Sequence, residues 1–120
     1  MRRLILATLV IALIPGFAAA ADIAGDYACK GTNPGTESPY SDTVKIAKNG
    51  NVFNVHWKIA GQEYQGVGLL TADGKHFSVG YTASKDWFGV VVYEISGNTL
   101  KGKWTGMGSN AYGTETLTKK

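Results

Sequence analysis

From Gly25 onward the chain alternates apolar and polar residues almost without a break. A period of two puts successive side chains on opposite faces of an extended strand, and here it predicts eight strands. They are Gly25 to Lys30, about Ser41 to Lys48, Val52 to Ile59, Glu63 to Leu70, His76 to Thr82, Trp87 to Ile95, Thr99 to Thr105, and Tyr112 to Thr118. The third is the clearest, with Phe53, Val55, Trp57 and Ile59 interleaved with Asn54, His56 and Lys58. No segment after the leader repeats with the helical period of about 3.6.

The first residues follow a different pattern. Arg2 and Arg3 precede an uncharged apolar run from Leu4 to Ile14, then Pro15, Gly16 and the small residues Ala18 to Ala21. That order predicts a secretory signal cut after Ala20 or Ala21, so residues 1–21 are read as a leader and 22–120 as one domain. The expected destination is the periplasm or the cell exterior, with no membrane attachment after cleavage. Asp26-Tyr27-Ala28 before Cys29 is no lipoprotein cleavage motif.

The breaks in the alternation sort into two ends. Asn49-Gly50, Asp73-Gly74 and Ser96-Gly97-Asn98 are tight-turn signals, because Gly and Asn accept positive φ. In an up-and-down order all three lie at one end. The other end carries Gly31 to Tyr40, Ala60-Gly61, Ala83 to Asp86 and Gly106 to Ala111, read mostly as longer, varied loops suited to binding groups. Closing the sheet removes both edges, and no long crossover argues for a sandwich. The expected fold is all-β, an eight-stranded antiparallel up-and-down barrel. Gly66, Gly68, Gly80, Gly89 and Gly102 fall inside strands, either to let a small barrel coil or to leave room for a ligand.

Charge and cysteine narrow the function. Of the twelve lysines and arginines, Arg2 and Arg3 belong to the leader, leaving ten lysines against nine acids, a formal +1. Without arginine or a basic run, nucleic acid is not an expected partner. Cys29 is the single cysteine, so no internal disulfide forms. It is either a small buried apolar side chain or the site of an intermolecular disulfide.

The inward faces change character along the barrel. Toward the tight turns they read Val44, Ile46, Phe53, Val55, Leu70, Phe77, Val79, Leu100 and Leu117, an apolar plug. Toward the loops they read Tyr27, Trp57, Tyr64, Tyr81, Trp104 and Glu115, a set suited to a small-molecule ligand. Glu115 interrupts an apolar face. It is satisfied by Tyr or Trp donors, accepts from a ligand, or faces water if the register slips by one. His56 and His76 read as surface residues. Gly106-x-Gly108-Ser109-Asn110 lacks the following helix of a phosphate site and reads as a turn. No nucleophile elbow, metal-ligand spacing or paired carboxylate appears. The expectation is a protein that is not an enzyme, with no cofactor and no metal.

Gly31-Thr32-Asn33-Pro34-Gly35 with Tyr40, Val55-His56-Trp57, Tyr64-x-Gly66-x-Gly68, Gly89-Val90-Val91-Val92-Tyr93, Leu100-x-Gly102-x-Trp104 and Gly113-Thr114-Glu115-Thr116-Leu117 resemble a family of small exported bacterial proteins. That family carries the label "fibronectin-binding protein" or none. A looser likeness is to avidin-like barrels, with aromatics at one mouth and a carboxylate on the last strand. The avidin ligand residues do not match one by one, so this likeness implies architecture alone. Two partner classes follow. A small amphipathic or aromatic ligand would use the six inward residues above. An extracellular protein would meet the rim through Asn33, Tyr40, Trp87 and Tyr112, aromatics being common interface anchors. A purely structural envelope protein is the third reading.

Overall fold

A sheet with one apolar face keeps two open edges unless its first strand meets its last. Here it does. The computed structural model describes residues 22–120; the predicted leader, residues 1–21, lies outside the described residues. The strands are β1 (Gly25–Thr32), β2 (Pro39–Asn49), β3 (Val52–Ile59), β4 (Gln62–Leu70), β5 (His76–Ser84), β6 (Trp87–Ser96), β7 (Thr99–Gly106) and β8 (Gly113–Lys119). Each pairs antiparallel with the next, and β1 pairs with β8, which closes an eight-stranded barrel. Among the described residues there is no helix.

The two ends differ as the turn chemistry requires. At the closed end Gly50, Gly74 and Gly97 take φ of 63°, 71° and 60°, the left-handed values of tight turns. At the open end the connections are uneven. β3–β4 and β5–β6 are joined by the two-residue turns Ala60-Gly61 and Lys85-Asp86, whereas residues 33–38 and 107–112 form longer loops. The expected loop Ala83 to Asp86 is therefore shorter than its sequence suggested. β5 continues to Ser84 through a register shift between Thr82 and Ser84, where the Thr82 hydroxyl donates to the Ser84 and Trp87 carbonyls. The two long loops sit side by side above the β8–β1 seam, pinned below by a 2.8 Å hydrogen bond between the Thr32 and Thr114 hydroxyls.

The expected plug is present. Val44, Ile46, Phe53, Val55, Phe77, Val79, Leu100 and Leu117 are buried, and Leu70 packs half-buried against them. Phe53 meets Phe77 edge to face at 5.5 Å. Ile23, which precedes the first strand, is also buried and stoppers the closed end. Its carbonyl accepts from the Tyr27 hydroxyl at 2.7 Å.

The strand glycines do not open space. A Cβ on Gly68 would lie 2.6 Å from the Phe77 ring, and one on Gly89 would lie 2.6 Å from the Tyr81 ring. Neighbouring rings fill the room that these residues leave. Gly80 differs, because it faces outward with nothing within 4 Å. Around it the alternation fails on the outer wall. Val67, Leu69, Phe88, Val90 and Val92 are each at least half exposed, on β4 and β6 either side of Gly80 and Ser78.

Candidate functional site

The site is built around one row of the barrel. Glu115 on β8 stands opposite Gly102 on β7 and Gly31 on β1. Gly102 stands in turn opposite Tyr93 on β6, and Gly31 opposite Tyr40 on β2. Across five strands the row reads Tyr93, Gly102, Glu115, Gly31, Tyr40. Each glycine lets the tyrosine beyond it lie over the sheet and reach the carboxylate. A Cβ on Gly102 would sit 2.7 Å from Tyr93 Cδ1, and one on Gly31 would strike the Tyr40 hydroxyl.

The two tyrosines converge on Glu115. Tyr40 Oη donates to Oε1 at 2.8 Å, and the Tyr93 hydroxyl donates to Oε2. Trp57 completes the set from β3, its Nε1–H donating to Oε2 at 2.9 Å. Glu115 is 5 % exposed and faces inward, so the register that would turn it to water is not the one adopted. An indole N–H can only donate, and an ionised carboxylate can only accept. The geometry is that of a buried acceptor satisfied by three protein donors. The cost of burying it is met by hydrogen bonds rather than by a cation.

Above Glu115 lies a pocket of about 440 Å³, within the usual size of small-molecule sites. Six aromatic side chains line it: Tyr40, Trp57, Tyr64, Tyr81, Trp87 and Trp104. Trp57, Tyr81, Trp87 and Tyr64 form one connected wall, with centroids 5.2 Å apart for Trp57–Tyr81 and 5.7 Å for Tyr81–Trp87. Tyr40 and Trp104 form the other, edge to face at 6.2 Å. Val91 contributes to the floor, and Asn33 and Gln62 are polar groups in the lining. Trp104 Nε1 is buried without a hydrogen-bond partner among the described residues, a donor that water or a ligand acceptor would satisfy.

The structure regroups the residues predicted from sequence. Trp57, Tyr64, Tyr81, Trp104 and Glu115 do come together. Tyr27 does not join them. β1 starts at the closed end, so its inward residues run Tyr27, Cys29, Gly31 toward the rim. Tyr27 is therefore the deepest of the three, fully buried against Ile23. Asn33, Tyr40 and Trp87, expected on a protein-binding rim, line the pocket instead. Tyr112 is separate, exposed, with Lys103 Nζ 4.7 Å above its ring. His56 faces outward as expected and meets Glu63 at 2.7 Å, an exposed pair of small energetic weight. The Gly106–Asn110 segment is a turn, with Ser109 N–H donating to the Gly106 carbonyl at 3.0 Å.

Three contributors escaped the sequence reading. Tyr93 was given no face in the sixth strand, and its signal is the glycine opposite it. Asp42 braces the short β3–β4 turn. Its Oδ2 accepts the Ala60 N–H at 3.2 Å, where Ala60 takes a φ of 52°. Ile23 carries no periodic signal at all.

Burial and Glu115 tune the neighbouring groups. Desolvation first, then the Glu115 charge, push the hydroxyls of Tyr40, Tyr81 and Tyr93 above the ordinary phenol value of 10.0. Each is neutral in the folded protein at a pH where the unfolded chain begins to ionise. The unfolded state then holds fewer protons, so stability falls as pH rises. Their contribution is complete below pH 10 and is lost progressively above it. Tyr93, fully buried, is expected to cost ~1.4 kcal/mol per pH unit in that range. Urea midpoints measured across alkaline pH, with phenolate absorbance followed in parallel, check this; ionisation of the buried phenols without unfolding would contradict it.

Cys29 is 1 % exposed. Burial, then the nearby Glu115, raises its thiol far above the ordinary range. A sealed, protonated thiol offers nothing to a second molecule, which leaves the intermolecular disulfide without a surface. Native protein is expected to resist thiol alkylation until urea unfolds it, as mass spectrometry of the treated chain would show.

Among the described residues no group of three His, Cys, Asp or Glu side chains gathers as a metal site. No protein-family model matches the chain, and no curated protein matches it.

Proposed function

We propose that this is an exported, non-enzymatic binding protein that holds a small amphipathic or aromatic molecule in the open end of its barrel. The observation that carries the reading is the pocket of about 440 Å³, with six aromatic side chains around it and one carboxylate at its floor. Apolar walls with a few placed polar groups are the common make-up of ligand sites. The scaffold below the pocket is a buried apolar core. Glu115 contributes charge more than a vacant acceptor, because protein donors already occupy it.

Tryptophan fluorescence tests the reading, since Trp57, Trp87 and Trp104 all line the pocket. Titration with a library of small periplasmic metabolites is expected to give a saturable change in the wild type. Trp104→Leu is expected to weaken that binding at least about tenfold, a loss of ~1.4 kcal/mol. No saturable response from any compound would overturn the proposal.

A second reading, an interaction module for an extracellular protein, is favoured by a different observation. The outer wall exposes Val67, Leu69, Phe88, Val90 and Val92 together, and contiguous apolar surface commonly marks an interaction site. The partner implied by the family resemblance is fibronectin. Trp87 lines the pocket, so replacing it would not separate the readings. Val90→Lys and Tyr112→Ala do. Loss of binding to immobilised fibronectin in either variant, with the ligand titration intact, would favour this second reading.

A further inference from the structure

The floor of the pocket holds negative charge but little free hydrogen-bonding capacity. A carboxylate offers about four lone-pair sites. Tyr40, Trp57 and Tyr93 fill three of them. None of these partners is a cation. Among the described residues no lysine, arginine or histidine lines the pocket, and Glu115 is its one charged side chain. The carboxylate is therefore hydrogen-bonded but not neutralised. Charge in a site walled by apolar groups is felt more strongly than in water.

The walls carry the same sign of preference. Aromatic faces are electron-rich and attract cations. Their arrangement is also informative. Neighbouring rings meet at 71° for Tyr40–Trp104, 47° for Trp57–Tyr81, 59° for Tyr81–Trp87 and 66° for Tyr64–Trp87. A flat ring is best held between parallel neighbours. These rings turn around the space instead, which suits a rounded group.

Resting on the pocket reading above, we propose that the ligand carries a fully alkylated ammonium group, seated among Tyr40, Trp57, Tyr81, Trp87 and Trp104 above Glu115. Such a cation matches the charge, the occupied carboxylate and the turned rings. It needs no acceptor, and Glu115 has little acceptor capacity left to offer. It complements the unneutralised charge. Its tetrahedral shape fits a curved aromatic wall. A primary ammonium would seek three acceptors and find the carboxylate occupied. An anion would meet the Glu115 charge with no basic residue to offset it.

The test is a tryptophan-fluorescence titration of the purified protein at constant ionic strength. The probes are choline, benzyltrimethylammonium and ammonium chlorides, with the uncharged carbon isostere of choline as reference. Choline is expected to bind at least about tenfold more tightly than its isostere, and ammonium not to bind measurably. In Glu115→Gln, with its fold checked by circular dichroism, that preference is expected to shrink to about threefold or less. Should Glu115→Gln fail to fold, Trp87→Leu at the mouth is expected to weaken choline by about tenfold while retaining the floor. Equal binding of the isostere, or a preference unchanged in these variants, would overturn the inference and leave a neutral ligand in the same pocket. Silence from the cations overturns it too. The metabolite library then decides separately whether the pocket reading survives.

Discussion

Glu115→Ala is expected to destabilise the barrel by about 3–5 kcal/mol, the largest effect of any single replacement in the site. The reason is what it leaves behind. Tyr40, Trp57 and Tyr93 all donate to this carboxylate, and the Trp57 indole and the whole of Tyr93 are cut off from water. Each stranded buried donor costs about 1–3 kcal/mol. A cavity adds to that. Glu115→Gln keeps the volume and one acceptor oxygen, but its amide group faces donors, so about half the loss is expected. The informative control removes both sides of the interaction. Glu115→Leu combined with Tyr40→Phe and Tyr93→Phe is expected to recover most of the stability, because matched apolar replacement can be nearly neutral. Urea denaturation of the four proteins measures this. A Glu115→Ala variant within about 0.5 kcal/mol of wild type would show that the network contributes little.

Gly102→Ala is expected to cost about 2–3 kcal/mol although it adds one methyl group. The added Cβ would meet Tyr93 Cδ1 at 2.7 Å and the Val92 carbonyl oxygen at 2.8 Å. The second of these is backbone, and Tyr93 is fully buried. Relief has to come from moving the ring, which also pulls its hydroxyl from Glu115. Gly80→Ala is the matched comparison, since nothing lies within 4 Å of its Cβ; it is expected to be neutral or to stabilise slightly. A double-mutant cycle with Tyr93→Leu isolates the clash, and coupling of at least about 0.5 kcal/mol is expected. If Gly102→Ala and Gly80→Ala behave alike, the ring-over-glycine account fails.

These effects show why the fold could be read from the sequence more fully than the site. β3 runs from Val52 to Ile59, the span that its alternation marks, because every polar residue there faces water. The closed-end turns were legible through glycines, which take positive φ without strain. Position along a strand was harder. Tyr27 was grouped with the rim by its chemistry, yet β1 begins at the closed end. Tyr40 was read as the end of a loop, with the second strand starting at about Ser41. A proline is acceptable at the first position of a strand, so β2 starts at Pro39 and pairs Tyr40 with Gly31. Trp87 was placed on a rim for protein contacts. The two-residue turn before it brings its ring over Gly106 and into the pocket. Cross-strand pairs between residues far apart in the chain, such as Gly31 with Glu115, leave no local trace.

The closed end has a practical consequence. There Lys119 Nζ donates to the Asp22 carbonyl at 3.1 Å, and the Lys120 N–H donates to the Asp26 carbonyl at 2.9 Å. Residues 22 and 120 thus leave the barrel together, at the pole opposite the aromatic mouth. A linker or a sensor chip attached through Lys120 would hold the molecule upright like a cup, its opening turned toward solution.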